Sequence, residues 1–105
     1  MNITTNIGTN PADGKPGLPE GSTLTVNVDK ECIFITMVLL DSDARIVKNR
    51  MIGTPDIINQ ADYTHSESIK LKRWFWNLKG QHTIKVVAWG VDNEQSELDA
   101  PFEIY

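Results

Sequence analysis

The chain has 105 residues, 40% of them apolar and 23% charged, with 10 Lys and Arg against 14 Asp and Glu for a net charge of −4. This is the length of one domain, residues 1–105, and the composition of a globular protein, which excludes a multidomain enzyme, a coiled coil, a collagen-like repeat and a disordered chain. The longest nearly apolar run, Cys32–Leu40, falls well short of the roughly 20 residues of a membrane-spanning helix, so no membrane insertion is expected.

The N-terminus, Met1-Asn2-Ile3-Thr4-Thr5-Asn6, has neither the basic nor the apolar region of a signal peptide. Either the chain stays where it is translated or it is a domain of a larger secreted protein. A first strand is expected near 2–8. Residues 10–21 then read as a loop, because three prolines and three glycines interrupt any ladder there. Leu24, Val26 and Val28 alternate with Thr25, Asn27 and Asp29, which marks a half-buried strand over 22–29. A third follows at 32–40, joined by the hairpin residues Asp41-Ser42-Asp43-Ala44 to a fourth at 45–52. Cys32, the only cysteine, lies in an apolar run and reads as a buried hydrophobe without a disulfide. Gly53-Thr54-Pro55-Asp56 is a turn, and Ile57 to Tyr63 has room for one helical turn. Ile69 and Leu71 alternate with Lys70 and Lys72 in a strand over 66–76. Ile84, Val86 and Ala88 do the same over 82–91, between Leu78-Lys79-Gly80 and Asp92-Asn93-Glu94, and a last strand covers 99–105. Seven short strands with turns between them predict an all-β, immunoglobulin-like two-sheet sandwich of antiparallel strands.

Asn10-Pro11-Ala12-Asp13-Gly14 followed by Glu20-Gly21-Ser22-Thr23-Leu24-Thr25-Val26 resembles the opening of bacterial immunoglobulin-like domains. Gly80-Gln81-His82-Thr83-Ile84-Lys85-Val86-Val87-Ala88 is similar to that family's penultimate strand, and Asp92-Asn93-Glu94-Gln95-Ser96 to the turn after it, although Gly90 stands where the family has Asp and Glu94 or Gln95 where it has Gly. The resemblance implies a non-catalytic module: a spacer, an adhesion module, an accessory domain of a secreted polysaccharide-degrading enzyme, or a phage structural protein. It also places His82 at a strand corner, bonding to nearby backbone.

His65 and His82 lack zinc-ligand spacing. Asp41 and Asp43, or Asp92, Glu94 and Glu97, are the acids nearest to a calcium set, but loop acids more commonly form turns. No cofactor, metal or catalytic residue is expected. Lys70, Lys72, Arg73, Lys79 and Lys85 fall in one stretch and Asp92, Glu94, Glu97, Asp99 and Glu103 in the next. With an acidic net charge and no recognition motif, nucleic acid is not the expected partner.

Trp74-Phe75-Trp76 has two readings. Strict alternation from Leu71 points Arg73 and Phe75 inward and both tryptophans outward, beside lysines, as a carbohydrate-stacking platform. A bulge near Arg73 buries Trp74 and Trp76 in line with Leu78 and spares the inward arginine; this is the favoured reading. The 32–40 and 82–91 strands are apolar on both faces. As sheet neighbours they present an outer strip of Phe34, Val38, Leu40, Val87 and Trp89, expected to meet a protein partner or a neighbouring copy, unless the N-terminal segment or the 53–65 loop covers it. The expectation is a non-enzymatic structural or interaction module, an accessory or decoration protein of a phage particle located in the virion. The alternative is an accessory domain of a secreted glycoside hydrolase or adhesin with weak carbohydrate binding.

Overall fold

Wherever one face of a strand must be buried, backbone pairing follows the period-two pattern. A computed structural model of the chain describes the backbone of residues 2–52 and 65–105. Those residues contain no helix and eleven strands: β1 (Ile3–Thr5), β2 (Gly8–Thr9), β3 (Pro16–Leu18), β4 (Thr23–Val28), β5 (Cys32–Asp41), β6 (Ile46–Ile52), β7 (His65–Lys70), β8 (Lys72–Arg73), β9 (Trp76–Asn77), β10 (Gly80–Gly90) and β11 (Gln95–Ile104). One sheet has the order β1-β4-β7, a second the order β2-β3-β11-β10-β5-β6, and β8 and β9 form a separate hairpin. The expected turns within 53–63 lie outside the described residues.

The two sheets share one core. Leu24, Val26, Val28 and Ile69 enter it from the smaller sheet. Ile35, Met37, Leu39, Ile84, Val86, Ala88, Phe102 and Ile104 enter from the larger. Each large side chain so removed from water contributes about 1.5–3 kcal/mol before the entropy of ordering it. Cys32 is buried with them, as expected. Burial pushes its thiol up, and Sγ donates to the Lys30 carbonyl at 3.2 Å.

The expected first strand is divided between the sheets. Asn6 makes the division: Oδ1 accepts the Thr25 N–H at 2.8 Å and Nδ2 donates to the Thr23 carbonyl at 2.9 Å. A side-chain amide thus continues the β1–β4 ladder while the backbone leaves for the other sheet. The expected loop over 10–21 also contains a strand. β3 pairs antiparallel with β2 and parallel with β11, so the larger sheet is mixed rather than wholly antiparallel. Pro16 is tolerated because it is the strand's first residue. Gly17 is required because a Cβ there would stand 2.9 Å from the Glu103 carbonyl oxygen and 3.0 Å from the Tyr105 ring. Buried Asn10 holds the loop down, donating to the Glu103 carboxylate at 3.0 Å and accepting from Ala12 N–H at 2.9 Å.

β11 starts at Gln95, earlier than expected, and pairs with β10 from Trp89↔Gln95 to Gly80↔Ile104. Two register shifts mark β5. One sets Gly90 opposite Cys32 and Trp89 opposite Phe34, leaving Ile33 unopposed. The other sets Leu39 opposite Lys48 and Leu40 opposite Ile46, leaving Val47 unopposed on β6.

Candidate interaction surfaces

The registers fix which side chains share the outer face of the larger sheet. Reading across β6, β5, β10 and β11, one row holds Met51, Thr36, Val87 and Glu97, the next Asn49, Val38, Lys85 and Asp99, and the next Ile46, Leu40, Thr83 and Pro101. Phe34, Trp89 and Gln95 lie above them. All five predicted strip residues, Phe34, Val38, Leu40, Val87 and Trp89, therefore come to one face. Four are half-buried by their neighbours, and Trp89 is 40% exposed. The Phe34 and Trp89 rings touch, with centroids 6.2 Å apart at 49°. Lys85 interrupts the strip and pairs with Asp99 at 3.5 Å. Sequence reasoning missed Ile46 and Met51, which are exposed on the same face and widen the apolar area. Simple alternation puts these two on opposite faces; the extra residue at Val47 puts them on one.

The aromatic triplet departs from both expectations. Leu71 is fully buried, its N–H donates to the Ser22 carbonyl at 3.1 Å, and its carbonyl accepts from Leu78 N–H at 3.0 Å. Residues 72–77, held between these two leucines, are all exposed. Arg73 pairs with Trp76 across the β8–β9 hairpin, whose turn is Trp74-Phe75. The favoured bulge that would bury Trp74 and Trp76 is therefore overturned: they are 74% and 54% exposed. Phe75 does not point inward either; it is 92% exposed at the apex. Two-residue hairpin turns favour a positive φ at the first central residue, and Trp74 occupies that place with φ of 59°. The two indoles meet edge to face, centroids 5.5 Å apart and planes at 76°. The Arg73 guanidinium lies 5.5 Å from the Trp74 ring centroid.

The remaining polar candidates have structural partners. His82 is buried, and its Nδ1–H donates to the Gly80 carbonyl at 2.9 Å, the local backbone bond that the resemblance implies. The His65 side chain lies outside what is described. Asp41 accepts the N–H groups of Asp43 at 2.9 Å and Arg45 at 3.0 Å, and the Arg45 bond chiefly holds its carboxyl below the usual range. Lys30 reaches from the β4–β5 turn to Asp92 at 2.5 Å and Glu94 at 2.6 Å, and its ammonium lowers both carboxyls. Among the described residues, no group of three or more His, Cys, Asp or Glu is placed to hold a metal ion. An open groove of about 570 Å³ runs between β6 and β7, lined in part by Lys48, Arg50, Ser68 and Lys70. Its charged groups tie the sheets together: Arg50 pairs with Glu67 at 2.9 Å, and Lys48 Nζ donates to the Lys70 carbonyl at 2.6 Å. Burial pulls the Lys48 ammonium down.

Compared with family models, curated proteins and solved structures, the chain matches none.

Proposed function

We propose that the chain is a non-enzymatic interaction module with an immunoglobulin-like sandwich fold, acting through protein–protein contacts on the outer face of its larger sheet. The strand order supports the fold: β10 lies between β5 and β11, and the N-terminal segment contributes to both sheets. One observation carries the function. The face formed by β5, β10 and β6 gathers Phe34, Val38, Leu40, Val87, Trp89, Ile46 and Met51 into one apolar area, in which Trp89, Ile46 and Met51 are exposed. The occupant we propose is a neighbouring copy or protein in an assembly. The family resemblance supplies the setting, an accessory or decoration protein of a phage particle.

Trp89→Glu places a charge on the aromatic end of this face while sparing the core. The expected result, by sedimentation over a range of concentrations, is that wild-type chains associate and the variant stays monomeric. Its unfolding free energy should fall by no more than about 1 kcal/mol, the scale of one cross-strand aromatic pair. A variant that associates like the wild type would remove this face from the interface.

The exposure of Trp74 and Trp76 favours a second reading, the accessory carbohydrate-binding domain of a secreted glycoside hydrolase or adhesin. It requires saturable binding of a soluble polysaccharide that depends on both tryptophans.

A further inference from the structure

Three consecutive aromatic residues at the turn of a six-residue hairpin do nothing for the fold. Residues 72–77 are exposed throughout, and the core closes beneath them at Leu71 and Leu78. Leaving Trp, Phe and Trp in water, with Trp74 in a backbone region that disfavours bulky residues, is a cost borne by the rest of the fold, and burial of the rings against a ligand would lessen it. From the geometry of this tip we infer that it docks into the interfacial layer of an anionic lipid surface, a peripheral contact that spans nothing.

The tip is an exposed turn, whereas a flat sugar-stacking platform turns its ring faces the same way. Here the indole planes stand at 76°, and the apex is a phenyl ring. A lipid interface makes no such demand. It takes apolar rings of any orientation and suits tryptophan, whose apolar body and N–H match the headgroup boundary. The charges fit as well. Lys79, on the far side of the turn, is paired with Glu20 at 3.6 Å, and the aromatics are flanked by Lys72 and Arg73. Their ammonium and guanidinium groups would lie at headgroup level while the rings point deeper. A strand rises about 3.4 Å per residue, so Phe75 reaches roughly 7–10 Å beyond the leucine clamp, the depth of interfacial insertion. This inference concerns a different surface from the sheet face and stands or falls separately from it.

The experiment uses the 105-residue chain carrying Trp89→Phe, so that only Trp74 and Trp76 report by fluorescence. It is mixed with vesicles of phosphatidylcholine, with or without 30% phosphatidylglycerol as a chosen probe composition (about one lipid in three). The expected result is co-sedimentation with the anionic vesicles, a blue-shifted emission, and quenching by bromine placed high on the acyl chain. Each base contributes about a fivefold change in partitioning, so Lys72→Gln should weaken binding by about that factor, and added salt should weaken it further. Phe75→Asp, with an unchanged circular dichroism spectrum, should weaken it at least tenfold. No binding at low salt, or binding that ignores both Phe75→Asp and Lys72→Gln, would overturn the inference. So would a saturable emission change with soluble xylan or chitin oligosaccharides and none with vesicles, which would return the tip to the carbohydrate reading.

Discussion

Ala44 and Asn93 do the same work at opposite ends of the larger sheet. Each closes a hairpin from the left-handed region, Ala44 at φ 60° after Asp41 and Asn93 at φ 69° after Gly90. Asn tolerates that conformation through its short polar side chain; the Ala Cβ crowds the carbonyl oxygen that follows it. Glycine at 44 would relieve about 1–2 kcal/mol of strain but return roughly 0.4–1 kcal/mol as extra freedom of the unfolded chain. Ala44→Gly is therefore expected to stabilise by about 0.5–1 kcal/mol and to raise the melting temperature by a few degrees. An unchanged or lower melting temperature would show that the turn carries no strain at this residue. Sequence alone marked 41–44 as a hairpin but not its strained residue, because Ala has no turn preference to signal it.

At the scale of elements, Lys30 joins the β4–β5 turn to the β10–β11 turn through Asp92 and Glu94. Both carboxyls are held below their ordinary values of 3.8 and 4.5, and the Lys30 ammonium is held above its own of 10.5. The folded chain thus keeps these acids ionised at lower pH than the unfolded chain does. Their contribution is complete above the ordinary carboxyl values and fades as pH falls through the lowered ones; that of Lys30 is complete below 10.5 and fades only above it. Urea unfolding followed from pH 7 down to pH 2 should show Lys30→Met losing less stability than the wild type. Parallel curves would mean that the pair does not act in solution. The turn at 92–94 was legible in the sequence; its lysine, 62 residues from Asp92, was not, since nothing in a chain of letters places two turns side by side. The same divide runs through the strands. β4 announced itself by clean alternation, since one of its faces is buried, and β5 and β10 by long apolar runs between turn residues. β3 hid behind Pro16 and Gly17, which open a three-residue strand between β2 and β11, and the front of β11 behind the polar Gln95, Ser96 and Glu97. The sheet-face strip was readable from two doubly apolar strands. The aromatic tip was misread because Leu71 ends the alternation: the chain turns out of the sheet there to form a hairpin whose side chains have no buried face.

In the whole molecule, both sheets close on one core, and the N-terminal segment is stitched to each: β1 to β4, and β3 to β11. Glu103 and Ile104 pair with Gly17 and Leu18, Tyr105 N–H donates to the Leu18 carbonyl at 3.0 Å, and Glu20 N–H donates to the Tyr105 carbonyl. β3 and β11 run in the same direction, so tension drawing the two chain ends apart pulls these strands past each other along their length. Their backbone bonds are then loaded together, in shear, and must break nearly at once. Cysteine handles at Ser42 and Gln81, which sit at the same end of the neighbouring strands β5 and β10, would instead peel one bond at a time. Single-molecule extension through residues 1 and 105 should accordingly require a higher rupture force than extension through 42 and 81. Equal forces would show that the parallel pair bears no load. A short strand hidden in a proline- and glycine-rich loop would then act as a mechanical latch on the chain ends.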